Sequence, residues 1–114
     1  MNYKVEEVNG IHILRIHEER LDTSVAPDLK AELMALAQKG LQQNILIDLK
    51  AVDYADSSGL GAILFGIRQA RETESQLKLM HTNVRVMNLI RIAKLDNIID
   101  FFDNEQEAID SFSN

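Results

Sequence analysis

The chain has 114 residues, 46% of them apolar, and a formal charge of −6 from 18 acids against 12 bases. That is room for one compact core and too little for two ordinary domains. The absence of cysteine excludes a disulfide scaffold, thiol catalysis and cysteine-based zinc sites, and the acidic balance argues against nucleic acid, whose binders carry a basic surplus.

The first seven residues put no apolar stretch behind Lys4, so they do not read as a secretory leader. No run approaches the ~20 apolar residues of a membrane span. The expectation is a soluble, cytoplasmic single domain over residues 1–114, with no membrane insertion. Residues 5–8 and 11–16 flank Asn9-Gly10, a pair suited to a type I′ turn, which predicts an opening hairpin. Alternation puts Ile11, Ile13 and Arg15 on one face and His12, Leu14 and Ile16 on the other.

Asp22, Thr23 and Ser24 offer N-cap oxygens, and Pro27 suits a first helical turn. Ala26, Leu29, Leu33 and Leu36 follow at helical spacing, with Gly40 as the expected stop. Residues 44–49, with Ile45-Leu46-Ile47 at their centre, read as a buried strand. Leu60, Ile63, Leu64, Ile67 and Ala70 predict a second helix, and residues 77–80 another strand. Thr82 or Asn83 caps a third helix over residues 84–94, and residues 98–102 form a last strand. Asn104 with Glu107 is a capping pattern ahead of Ala108, Ile109 and Phe112. The six acids of residues 95–114 face no Lys or Arg there. The whole net charge therefore sits in this tail, where Asp103, Glu105 and Glu107 complement a helix N-terminus.

The order β-β-α-β-α-β-α-β-α predicts an α/β fold. Its sheet is mixed but mostly parallel, with about five strands, about four helices and right-handed crossovers. Sites in such sheets collect at the carboxyl ends of strands. Two segments occupy that place, residues 22–24 and residues 53–61.

The second segment carries Asp56-Ser57-Ser58-Gly59-Leu60-Gly61. Two hydroxyls stand where a helix begins, and a helix N-terminus favours a phosphate, bound or covalently attached. Equally, Ser57 or Ser58 serves as a plain N-cap and the glycines as a tight turn. Gly59 and Gly61 each cost about 1 kcal/mol relative to Ala within a helix. They imply a close backbone approach or a clear face beside the serines. The pattern is not the G-x-S-x-G of a nucleophile elbow, and no Gly-Lys-Ser/Thr of a phosphate loop occurs.

This Asp-Ser-Ser-Gly-Leu-Gly segment after a buried strand resembles the phosphorylation motif of STAS domains, most closely the bacterial anti-sigma factor antagonists. The likeness covers residues 3–112 and takes in the hairpin, Leu21-Asp22, Ile45-Leu46-Ile47-Asp48-Leu49 and Gly61-Ala62-Ile63-Leu64. It implies that Ser57 receives phosphate from a partner anti-sigma factor with serine kinase activity, and that a serine phosphatase removes it. The unphosphorylated form would bind the anti-sigma factor and free its sigma factor. Asp22, Asp56, Ser58, Gly59, Leu60 and Gly61 would shape the phosphorylation loop and partner surface. The chain departs from the family pattern at Glu19-Arg20, where a Gly and an acid are common, and at Lys94-Leu95, where Gly-Leu is common.

The same resemblance leaves a second reading, a STAS subunit of a membrane transport complex bound to its ATPase subunit. A hydrolase using Ser57 lacks an assignable His–Asp base, so the chain is read as non-catalytic, with no cofactor. Asp48 ends a strand as a receiver phosphoacceptor would, but no acidic pair closes the first strand to hold Mg²⁺. Asp53 joins Asp22 and Asp56 as acids expected around Ser57. His12, His17 and His81 are scattered and suggest no metal site. Arg85, Asn88, Arg91 and Lys94 make a basic-polar stripe on the third helix, whose wide apolar arc reads either as a helix half-sunk between sheet and terminal helix or as a partner surface exposing Val86 or Met87. Of the rings at Phe101 and Phe102, one is expected in the core and one against a helix. The oligomeric state stays open between a monomer and a weak dimer.

Overall fold

A computed structural model describes residues 1–113. Strands β1 (Tyr3–Val8) and β2 (Ile11–Ile16) form the opening hairpin. Asn9 and Gly10 at its tip have φ of 53° and 79°, as a type I′ turn requires. In chain order there follow β3 (Arg20–Leu21), α1 (Ala26–Ala37), β4 (Ile45–Asp48), β5 (Tyr54–Ala55) and α2 (Ser57–Glu72). Then come β6 (Leu77–Met80), α3 (Val84–Ile92), β7 (Phe101–Phe102) and α4 (Glu105–Ser111).

The main sheet runs β1-β2-β4-β6-β7, antiparallel only at β1–β2. β2 is therefore interior and buried on both faces, as its alternation requires. Leu14 and Ile16 join Ile45, Ile47, Leu77 and Leu79 under α1, α2 and α3. Ile11 and Ile13 join Leu46 and Met80 under Ala108 and Ile109 of α4. Phe101 packs against the first cluster and Phe102 against the second.

Charge closes the thinner face. The Arg15 guanidinium donates to Asp48 Oδ2 at 2.9 Å, to both Glu105 oxygens at 2.9 and 3.1 Å, and to Glu6 at 3.3 Å. Asp48 is thus a structural ion-pair partner. Lys78 Nζ donates to Ser111 O and Oγ at the end of α4 and lies 4.6 Å from the Phe112 ring centre. A cation suits the carbonyl end of a helix.

Several boundaries differ from the sequence expectation. The residue before α1 is Val25, which offers no side-chain cap. The Asp22 carboxylate instead accepts from Ser24 N and Oγ within its own loop, at 3.0 and 2.6 Å. α1 ends at Ala37, short of Gly40. α3 ends at Ile92, and Lys94 takes φ of 61° in the turn that follows. Only Phe101 and Phe102 of residues 98–102 pair as a strand. On α3, Val86 is buried and Met87 half-buried, whereas Val84 and Ile92 are exposed. Val86 and Ile90 face the core together, which turns the two ends of the helix outward.

Candidate functional site

β3 and β5, neither foreseen from the sequence, form a separate two-residue parallel pair with Leu21 beside Ala55. Two residues are too few for a periodic signal. Their pairing positions the site. Continuing the register sets Asp22 beside Asp56, and Asp56 N donates to Leu21 O at 3.1 Å. Asp53 lies at the other end of β5, where its N–H donates to Glu19 O at 2.8 Å. The register thus brings Asp22 and Asp56 together and sets Asp53 apart from them.

Asp56, not either serine, caps α2. Its Oδ1 accepts from Ser58 N at 2.9 Å and Gly59 N at 3.1 Å. Two of the N–H groups that could cradle a phosphate are therefore already taken. The result is a serine hydroxyl left free of the cap. Ser57 is exposed, and among the described residues its hydroxyl is bonded to no side chain.

The two glycines do different work. A Cβ on Gly59 would run into Leu21 O and come within 2.7 Å of Leu21 Cβ, so α2 can start against β3 only without one. A Cβ on Gly61 would meet nothing within 4 Å. Gly61 lies on the wall of an open cleft of about 450 Å³ shared with Ser57, Ser58, Thr23, Ala26, Pro27 and Lys30. Leu60 is buried and anchors the turn. The cleft lies between the starts of α1 and α2, two helix ends of positive potential. Lys30, on the second turn of α1, adds a cation to the cleft lining, and nothing in its sequence context marked it.

Asp22 lines a second open cleft, with His17, Glu18, Glu19, Arg20 and Ser24, on the loop that leads into α1. The hydrogen bonds from Ser24, then Arg20 at 3.6 Å, hold its carboxyl below the usual aspartate range. Asn83 braces the approach from the other side. Its Nδ2 donates to Val52 O and Asp53 O, and its Oδ1 accepts from Val86 N as the cap of α3.

The histidines stay apart from this site chemically. His12 pairs with Gln43 at 2.8 Å, and no histidine bonds Ser57 or Ser58 among the described residues. No group of three or more His, Asp or Glu among them could hold a metal. Among the described residues no helix is long and apolar enough to cross a membrane.

The STAS domain family model matches residues 2–108. The chain belongs to the STAS family, among its anti-sigma factor antagonists. It is 35% identical over 80 residues to the anti-sigma-B factor antagonist of Bacillus subtilis, covering 70% of this chain and 72% of that protein. It is 26% identical to the anti-sigma F factor antagonist of Paenibacillus polymyxa, over 96% of this chain and 92% of that one. A STAS domain protein from Planctomyces limnophilus shares the fold with a TM-score of 0.90 at 16% identity, covering 98% of each chain.

Proposed function

We propose that this chain is a partner-switching regulator of transcription whose switch is phosphorylation of Ser57. The observation that carries the reading is the cap at Asp56, which leaves Ser57 Oγ exposed and unengaged on the first turn of α2. In the unphosphorylated form the cleft and its rim bind an anti-sigma factor, a kinase for this same serine, and so release the sigma factor.

A phosphoserine brings about −1.5 to −2 charges at pH 7. Here it would meet the carboxylates of Asp56 and Asp22, with Lys30 across the cleft as the nearby cation. The new charge changes the surface a partner meets without requiring the backbone to move. A serine phosphatase then resets the surface.

Incubation with the cognate anti-sigma kinase and ATP, read by peptide mass spectrometry, tests the assignment. One phosphate on Ser57 is expected, with none on Ser57→Ala. Phosphate confined to Ser58 or Ser24, or none with an active kinase, refutes it.

A further inference from the structure

The outer edge of the sheet carries a pattern that is self-complementary. β1 is an edge strand. Its inner partners follow from the backbone bond of His17 N to Asn2 O and the two-residue turn at Asn9-Gly10. Bonded pairs alternate along an antiparallel ladder, so Lys4, Glu6 and Val8 spend their N–H and C=O groups on β2. The N–H and C=O groups of Tyr3, Val5 and Glu7 point outward. Tyr3 and Val5 also expose 39% and 37% of their surface.

We propose that β1 pairs antiparallel with β1 of a second copy of this chain, across a two-fold axis midway between the two copies of Val5. A continuous sheet requires facing residues to share a face, which leaves only even registers. With Val5 opposite Val5, Tyr3 faces Glu7 and Lys4 faces Glu6, twice each. The outward groups of Tyr3, Val5 and Glu7 then bond in pairs, and each Lys4 gains an acid across the strand. Shifting by one step either way sets Lys4 against Lys4 or Glu6 against Glu6, and like charges directly opposite are unfavourable. Charge thus selects one register and one occupant. Within a single chain Lys4 already reaches Glu6 at 3.2 Å from 64% exposure, so both groups are placed on the face where the pairing occurs.

The two-fold reverses the strand direction between copies. The two Ser57 sites, at carboxyl ends of strands, would open in opposite directions, and both would stay accessible. The proposal is independent of whether Ser57 is phosphorylated.

Sedimentation of the whole chain up to about 1 mM tests it. A reversible monomer–dimer equilibrium is expected. Val5→Pro removes an outward N–H without touching the β1–β2 ladder and should give a monomer with unchanged circular dichroism. Lys4→Glu should weaken association about tenfold. The chain has no cysteine, so single cysteines report the register. Val5→Cys should be coupled by a short bis-maleimide. Glu7→Cys, about 14 Å from its copy, should not. A monomer at every concentration overturns the proposal, as does a dimer indifferent to both variants. Equal coupling of Val5→Cys and Glu7→Cys overturns it as well.

Discussion

Gly59→Ala and Gly61→Ala are the same chemical change two residues apart, and the structure requires opposite outcomes. At position 59 the new Cβ would collide with Leu21 O and press within 2.8 Å of Leu21 C, both fixed backbone atoms of β3. Overpacking of this kind costs about 1–3 kcal/mol. The better helix propensity of Ala returns at most about 1 kcal/mol, and less in a first turn. A net loss of about 1–2 kcal/mol is expected, or roughly 4 °C or more per kcal/mol at this size. At position 61 the Cβ meets open space, so only the propensity gain remains, up to about 1 kcal/mol. Gly61→Ala should melt higher than the parent yet narrow the cleft beside Ser57. Urea unfolding followed by far-UV circular dichroism measures both, with the m-value unchanged. Equal losses, or a Gly59→Ala as stable as the parent, would refute the close approach of α2 to β3.

Other expected outcomes rest on separate features. Lys94 sits at φ of 61° where Leu95 N donates back to Ile90 O, a helix stop that glycine fits better. Lys94→Gly should therefore raise stability by about 0.5–1 kcal/mol in the same unfolding assay, and a loss contradicts the geometry. Arg15→Ala leaves Asp48, whose side chain is 11% exposed, without its cation. A loss of about 2–3 kcal/mol is expected, and a loss below about 0.5 kcal/mol would show the network to be inert. Hydrogen bonds from Ser24 and Arg15 hold Asp22 and Glu6 below their ordinary values of 3.8 and 4.5. Their contribution is present above those values and is lost as pH falls through the lower folded ones. The melting temperature should accordingly hold down to about pH 5 and fall below it, less steeply in Asp22→Asn. A fall confined to pH above 5 would contradict the assignment.

The sheet was legible because each of its buried strands or helices carries its own periodicity. Ile45-Leu46-Ile47 and the Leu29, Leu33, Leu36 spacing could hardly read otherwise. Asn9-Gly10 fixed the hairpin by its backbone demand alone. The site was legible as a segment but not as a mechanism. Ser57 stood out from its neighbours, yet the capping role goes to Asp56, the last extended residue before α2, whose Oδ1 accepts from Ser58 N and Gly59 N. Gly59 and Gly61 were seen together, and only contact with Leu21 separates packing from access. Asp22 was expected near Ser57; the two-residue strand pair that sets it beside Asp56 has no pattern of its own. The cap expected at residues 22–24 failed for the same reason, since Ser24 and Asp22 satisfy each other inside the loop.

In the proposed switch, charge at Ser57 decides partner binding. Calorimetric titration of the cognate anti-sigma factor with the parent chain, Ser57→Ala and Ser57→Asp measures this most directly. Equal, tight binding is expected of the parent and Ser57→Ala, and binding by Ser57→Asp weaker by about tenfold or more, equivalent to about 1.4 kcal/mol. Equal affinity for all three chains would contradict it.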